Sequence, residues 1–404
     1  MAVPGTPRIL QVDADAFYVQ VARLGDPEGA GKAEVVLVGG TPQGRGVVTS
    51  ASYSARKYGA RSGMPMAQAL RLCPEAMVVG VPGRACSERS KAIHAALERF
   101  APIVEPASID EMYLDLTGTE TLYKHETLEQ TARRIREAVR AESDIVVSVG
   151  GGTTRLVAKL AANRAKPHRT PEAHGVLIVP PGEEGAFLKT FPLAAIPGIG
   201  PRFQDRLAVY GLKTVPDALR HDRATLEEWF GQRAGHWLYD RIRGVDPTPV
   251  VHRDRARSIS RDETFAENID DDAKLRRELL RLSDRAAGDL RTGGYVARTV
   301  TVRIRDRDFK DRSAAKTLRA SVSADAAIAT VALELFAKLR RARRIPARLL
   351  GVALSQLGGA STEEQLGLFA DDDASELETD RDRRLSRAID ELRKRFGRGV
   401  VGRG

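Results

Sequence analysis

The 404-residue sequence predicts a multidomain fold of mixed α/β and α+β type. Three observations carry that expectation. Strand-length apolar runs alternate with helix-period segments up to residue 173. A short helical stretch punctuated by glycine and proline follows, and strand–helix alternation then resumes with a basic character. The 42% hydrophobic content supports real cores in each part.

In chain order, "RILQVDADAF" reads as a strand from Ile9 to Val12 that ends in Asp13 and Asp15. "AEVVLVGG" is a buried strand running into a Gly-rich turn, and "GVVTSASYSARKYG" is a strand leading into a polar helix. "ASIDEMYLD" suits a buried strand, yet it holds Asp110 and Glu111 side by side. Burying adjacent carboxylates is costly unless a cation compensates them. "YKHETLEQTARRIREAVRAES" has helical periodicity, and "IVVSVGGG" is a strand closing on three glycines. "GTTRLVAKLAANRAKP" is a helix ended by Pro167, which makes residues 1–173 one α/β unit with a mixed sheet.

Residues 174–244 change to short helical pieces around "IPGIG", and 245–256, "VDPTPVVHRDRA", read as a linker. Residues 257–357 hold 22 Lys/Arg against 14 Asp/Glu, most of the net charge of +10. In "ARTVTVRIRDRDF", Val300, Val302 and Ile304 alternate with Thr301, Arg303 and Arg305, giving a strand with one apolar and one cationic face. With Arg319 and its neighbours, that face suits phosphates. An acidic tail follows Gly358, and Leu385, Ile389, Leu392 and Phe396 then space an amphipathic helix.

The charge favours a polyanionic partner. No apolar run approaches the length of a membrane span, and "MAVPGTPRIL" is not a signal peptide. Cys73 and Cys86 lack metal-ligand spacing, which argues against a disulfide framework and makes the cytoplasm the expected compartment. Asp13 at one strand end, with Asp110 and Glu111 at another, forms an all-oxygen set suited to hard divalent cations. A lone Asp is more often a turn cap or an ion-pair partner, but two acidic strand ends in one unit weaken that alternative.

"VDADAFYV", "VVTSASYSARKYGARSGMP", "ASIDEMYLD", "AKLAANRAKP" and "IPGIG" occur in the order and spacing of Y-family DNA polymerases. The resemblance is to the DNA polymerase IV branch and covers about residues 8–357. It implies a right-hand polymerase with palm (1–16 and 83–173), fingers (17–82), helix-hairpin-helix thumb (174–244) and a basic little finger (257–357) after the linker. It implies a low-fidelity, template-directed enzyme of translesion synthesis, without proofreading. Its partners would be primer–template DNA and deoxynucleoside triphosphates, with the chain a monomer away from membranes.

Asp13, Asp110, Glu111 and the backbone carbonyl of Ala14 would then hold two Mg²⁺ ions, with Mn²⁺ a substitute. Ser50, Tyr53, Arg56 and Lys166 would contact the triphosphate, and Tyr18 would be a steric gate against ribonucleotides. Gly198 and Gly200 would let backbone N–H groups approach DNA phosphates, alongside Arg303, Arg305 and Arg319. In the tail (358–404), Gln365, Leu366, Leu368 and Phe369 resemble the peptide by which bacterial polymerases dock on the sliding clamp. Val19, Ala22, Cys86 and Thr154–Arg155 depart from the family's usual residues. A nucleotidyl cyclase shares the palm architecture but has no use for the hairpin, the basic sheet or the tail peptide. A non-catalytic scaffold is disfavoured by the intact Asp13, Asp110, Glu111 and Lys166.

Overall fold

The computed structural model describes residues 5–124, 126–252, 256–359, 377–397 and 400–401, and it divides into two compact units, Met1–Arg253 and Asp254–Gly404. The first unit contains β1 (Ile9–Ala14), β2 (Val36–Gly39), β3 (Val48–Ala51), β4 (Met77–Val79), β5 (Ile103–Pro106), β6 (Glu111–Asp115), β7 (Val147–Gly152) and β8 (Val176–Ile178). They form two sheets rather than the single mixed sheet expected. One has the order β5-β6-β1-β7-β8 and the other β3-β2-β4. In the larger sheet only β7 and β8 run parallel. The smaller sheet separates because Leu37, Val48, Met66 and Ala69 bury one another in a core of their own.

β1 is central and buried along its whole length, the polar Gln11 and the acidic Asp13 included. Helix Leu128–Ser143 packs against this sheet through Ala132, Ile135 and Val139, and starts from a capping box between Thr127 and Gln130. Helix Arg155–Ala165 lies so close to β7 that a Cβ on Gly150 would stand 1.9 Å from the Ala162 backbone nitrogen. Gly150 and Gly152 of β7 therefore make room for this helix, while a Cβ on Gly151 would meet Ile178 and Leu10 instead.

Five short helices, Glu184–Leu188, Pro201–Val209, Val215–Leu219, Arg223–Phe230 and Gln232–Arg241, share a core that includes Leu207, Leu226 and Leu238. Residues 245–252, expected as the start of a linker, pack on the large sheet instead. Val250 is buried with Ile9, Tyr113 and Ala158. A stretch without periodicity hides such a contact, because one apolar residue is enough to dock it.

The second unit has β9 (Ser258–Ile269), helix Asp272–Thr292, β10 (Tyr295–Asp306), β11 (Asp311–Val322), helix Asp325–Ala342 and β12 (Ala347–Gly359). Its sheet order is β11-β10-β12-β9, antiparallel throughout. Val300, Val302 and Ile304 of β10 are buried in the core with residues of both helices, as the alternation predicts. Helix Asp380–Phe396 also forms, but it docks by its polar face. Asp390 takes a bidentate pair from Arg291 at 2.6 and 2.8 Å, and the Ser386 hydroxyl accepts from the Asp325 N–H. Leu385, Leu392 and Phe396 stay exposed. Among the described residues no helix is long and apolar enough to cross a membrane.

Gly150→Ala should disrupt the first unit, since backbone rather than a flexible side chain would have to yield. We expect Tm to fall by about 5 °C or more. A calorimetric melt within a degree of wild type would contradict the close-approach account.

Candidate active site

Pairing of β1 with β6 places Asp13 opposite Glu111, and pairing with β7 places it opposite Ser148. The Ala14 N–H donates to the Asp110 carbonyl at 2.9 Å, fixing the β5–β6 turn against the end of β1. Asp110 thus lies in that turn and not inside the strand, which begins at Glu111. This resolves the adjacent acids of "ASIDEMYLD": neither carboxylate has to sit in the middle of a core strand.

Burial pushes the Asp13 carboxyl up to about 6, against the opposing pull of Lys166, with Glu111 and Asp110 adding to the rise. Lys166 Nζ donates to Asp13 Oδ1 at 2.7 Å. Lys159 Nζ donates to Glu111 Oε2 at 2.6 Å, and Gln11 donates to the same oxygen at 3.3 Å. The Ser108 hydroxyl donates to Asp110. Each acid is held by its own partner, and among the described residues no three acidic, histidine or cysteine side chains are gathered closely enough to hold a metal ion. The donor chemistry nonetheless fits hard divalent cations, because all the available atoms are oxygens and the buried Asp13 lacks enough positive charge.

Beside these groups stands a fourth carboxylate, Asp15. It accepts from the Ser148 hydroxyl at 3.0 Å and from the Tyr53 hydroxyl at 3.1 Å. Burial raises its pKa, opposed by Lys166 and these hydrogen bonds. Ala16 follows in the left-handed region at φ 47°, a strained turn that starts helix Phe17–Gly25. That turn sets Tyr18 edge-on to Phe17 at 5.5 Å. Burial raises the Tyr18 pKa, with Asp110 and Cys86 adding to it, so the phenol lies by the acidic cluster.

Helix Tyr53–Lys57, capped by Ser52, carries Tyr53 and Arg56. The Arg56 guanidinium lies 5.0 Å from the Tyr53 ring centroid and its Nε donates to the Ala51 carbonyl at 3.0 Å. Ser50 is buried on β3. Lys166 caps the C-terminus of helix Arg155–Ala165, one residue before the predicted stop at Pro167. Buried acids, cations and a tyrosine from both sheets of the first unit therefore surround one end of β1.

The chain matches the impB/mucB/samB family at residues 12–163, that family's C-terminal domain at 256–368, and the DNA polymerase-iota thumb domain at 194–246. It is 36% identical to the DNA polymerase IV of Dehalococcoides mccartyi over 397 residues, covering 98% of this chain and 97% of that protein. Identity to the DNA polymerase IV of Streptomyces coelicolor is 33%, over 92% of this chain and 75% of that protein. The chain belongs to the Y-family DNA polymerases, in the DNA polymerase IV branch.

Solved structures agree on the architecture of this Y-family polymerase. A chimera titled Dbh-Dpo4(243-245)-Dbh superposes with a TM-score of 0.75 at 26% identity, covering 87% of this chain and 99% of that one. An insertion ternary complex of Dbh DNA polymerase gives 0.62 at 26% identity, covering 86% and 98%. The fold is the right-hand polymerase, with palm, fingers, helical thumb and little finger, and the activity is DNA-directed DNA polymerisation.

The remaining predicted site residues are scattered. Gly198, at φ 100°, faces the Trp237 ring, which a Cβ would meet at 2.7 Å, and Gly200 caps helix Pro201–Val209. In the second unit Arg303 pairs with Asp262 at 3.0 Å, and Arg305 makes a bidentate pair with Asp311 at 2.7 Å. Arg319 also has a partner, so acids of the same unit offset part of the cationic face. Gln365, Leu366, Leu368 and Phe369 lie outside the described residues. Sequence reading missed Asp15, Lys159 and His168. Lys159 was findable, because seven residues separate it from Lys166, which places both near one face of a helix.

The unusual Thr154–Arg155 pair also has a structural use. Thr154 caps its helix by accepting from the Val157 N–H. The Arg155 guanidinium stands 4.1 Å from the Tyr113 ring centroid, pairs with Glu105, whose side chain is 0% exposed, and donates to the Pro249 carbonyl at 2.9 Å. Glu105 also accepts from the Val251 N–H at 3.0 Å, which ties residues 249–251 to the sheet. Arg155→Ala strands a buried carboxylate and should destabilise the protein by about 3 kcal/mol. Arg155→Lys should recover part of that loss, since charge returns without the planar fork. Denaturant melts of both variants check the order; an Ala variant as stable as wild type would show that the pair contributes nothing.

Proposed function

We propose that the chain is a low-fidelity translesion polymerase whose chemistry is centred on Asp13, Asp110 and Glu111 at the end of β1. One observation carries the reading: β1–β6 pairing and the Ala14–Asp110 bond bring three carboxylates from two distant segments to one strand end. The relatives named DNA polymerase IV and the ternary complex of a related enzyme support primer–template DNA and nucleotide as its partners.

In this reading Asp13, Asp110, Glu111 and the Ala14 carbonyl hold two Mg²⁺ ions. Bound there, the ions would lower the pKa of the primer 3′-hydroxyl and neutralise triphosphate charge. Lys166 and Lys159 balance the acids in their absence; Lys166 turns to the phosphates with Arg56, Tyr53 and Ser50 when nucleotide enters. Tyr18 excludes a ribose 2′-oxygen by its ring, and Val19, buried among Ala22, Val36 and Val38, anchors that turn.

The palm is residues 1–16 and 83–173, the fingers 17–82, the thumb 174–244 and the little finger 257–357. The little finger and the Gly198–Gly200 hairpin grip DNA. The peptide at 365–369 docks on a sliding clamp, which would keep an enzyme with a small DNA grip near its substrate. Repair of damaged templates in the cytoplasm completes the reading.

Asp110→Ala and Glu111→Ala should each lower nucleotide incorporation by about a hundredfold or more while primer–template affinity survives. Single-turnover extension at saturating Mg²⁺ decides this, and rates within tenfold of wild type would sink the metal assignment. Tyr18→Ala should raise ribonucleotide over deoxynucleotide incorporation by about tenfold or more, as expected when a steric exclusion is removed. Competition between the two sugars measures it. Equal acceptance by wild type would mean that the ring is no gate.

A further inference from the structure

We propose that His168 is a positioning residue for nucleotide incorporation, holding Tyr53 in place to receive the triphosphate. The inference rests on the triphosphate reading given above. His168 stacks on the Tyr53 ring with centroids 4.0 Å apart and planes inclined by 28°. The Tyr53 hydroxyl is fixed at its other end by Asp15. Tyr53 is therefore held twice, by a hydrogen bond at its tip and by a ring against its face.

The two rings come from different layers. Tyr53 sits on a five-residue helix following β3 of the small sheet. His168 sits in the turn after helix Arg155–Ala165, which packs on the large sheet. That turn is tight: the Lys166 carbonyl accepts from the N–H groups of both Arg169 and Thr170, at 2.8 and 3.1 Å. Lys166 and His168 consequently move as one piece, one reaching Asp13 and the other Tyr53. The stack couples the fingers-side ligands Tyr53 and Arg56 to the palm-side ligand Lys166.

A charged imidazole would be a poor choice among these cations. His168 stays exposed at its edge, but burial of the part covered by the stack, together with Arg169, Arg56 and Lys166, pushes its pKa down to about 4. The ring is neutral at physiological pH and serves as an aromatic surface, not as a proton donor to phosphate. Its contribution is geometric, so it should act on nucleotide affinity and leave the chemical step alone.

Steady-state insertion of one deoxynucleotide on a primed template, at saturating Mg²⁺, tests this. His168→Ala should raise the nucleotide KM about two- to tenfold, the range of an aromatic stack. Its kcat should stay within about twofold of wild type. His168→Phe should restore KM because it keeps the stack, and His168→Asn should not. In a Tyr53→Ala background, His168→Ala should add no further change, since the coupling partner is gone. An unchanged KM in His168→Ala, or no rescue by Phe, overturns the proposal, as does an undiminished effect in the Tyr53→Ala background. If Tyr53→Ala raises KM while His168→Ala does not, only the role of His168 falls. If Tyr53→Ala itself leaves KM unchanged, the triphosphate reading falls and takes the proposal with it.

Discussion

The buried carboxylate of Asp13 is the constraint around which the first unit is organised. Asp13 is only 5% exposed, and burial dominates its raised pKa despite a lysine at 2.7 Å. An acid in that position destabilises the fold whenever it is ionised and no further cation is near. Lys166 reaches it from the end of one helix, while Lys159 of the same helix takes Glu111. A single helix laid across β7 thus supplies both balancing charges, and Gly150 and Gly152 of β7 let it lie close enough.

The strand pairing turns this local imbalance into a site. Without β6 beside β1, Glu111 and Asp110 would be ordinary turn acids. With it, Asp13 feels both as like charges. Asp15 repeats the device one step further along, but there hydroxyl donors from Ser148 and Tyr53 satisfy the carboxylate. Two acids two residues apart therefore have different lives: one is left short of positive charge, and the other fastens an aromatic residue.

The second unit distributes its charge differently. Its arginines are numerous, yet Arg303, Arg305, Arg291, Arg312 and Arg340 are engaged with acids of the same unit. Pairing of that kind fixes where each guanidinium sits and leaves the unit's net positive excess unchanged. The terminal helix follows the same logic, since it is held by Arg291–Asp390 and Arg393–Asp284 while its leucines face outward.

Much of the architecture was legible in the sequence. β1, β7, the helices at 128–143 and 155–165 and the two-faced strand β10 all follow from local periodicity, because apolar spacing and capping residues are properties of a few neighbouring positions. The family, with its polymerase activity and right-hand fold, was legible too, since several long motifs stand in one order. What tertiary structure alone decided were contacts between segments far apart in the chain. The split into two sheets, the burial of Val250 and the clasp of Arg155 on Glu105 leave no local signature. Nor do the polar docking of the last helix and the stack of His168 on Tyr53. A histidine between proline and arginine reads as surface, and it does remain exposed; only the fold brings it, over more than a hundred residues, against a tyrosine on the helix that follows β3.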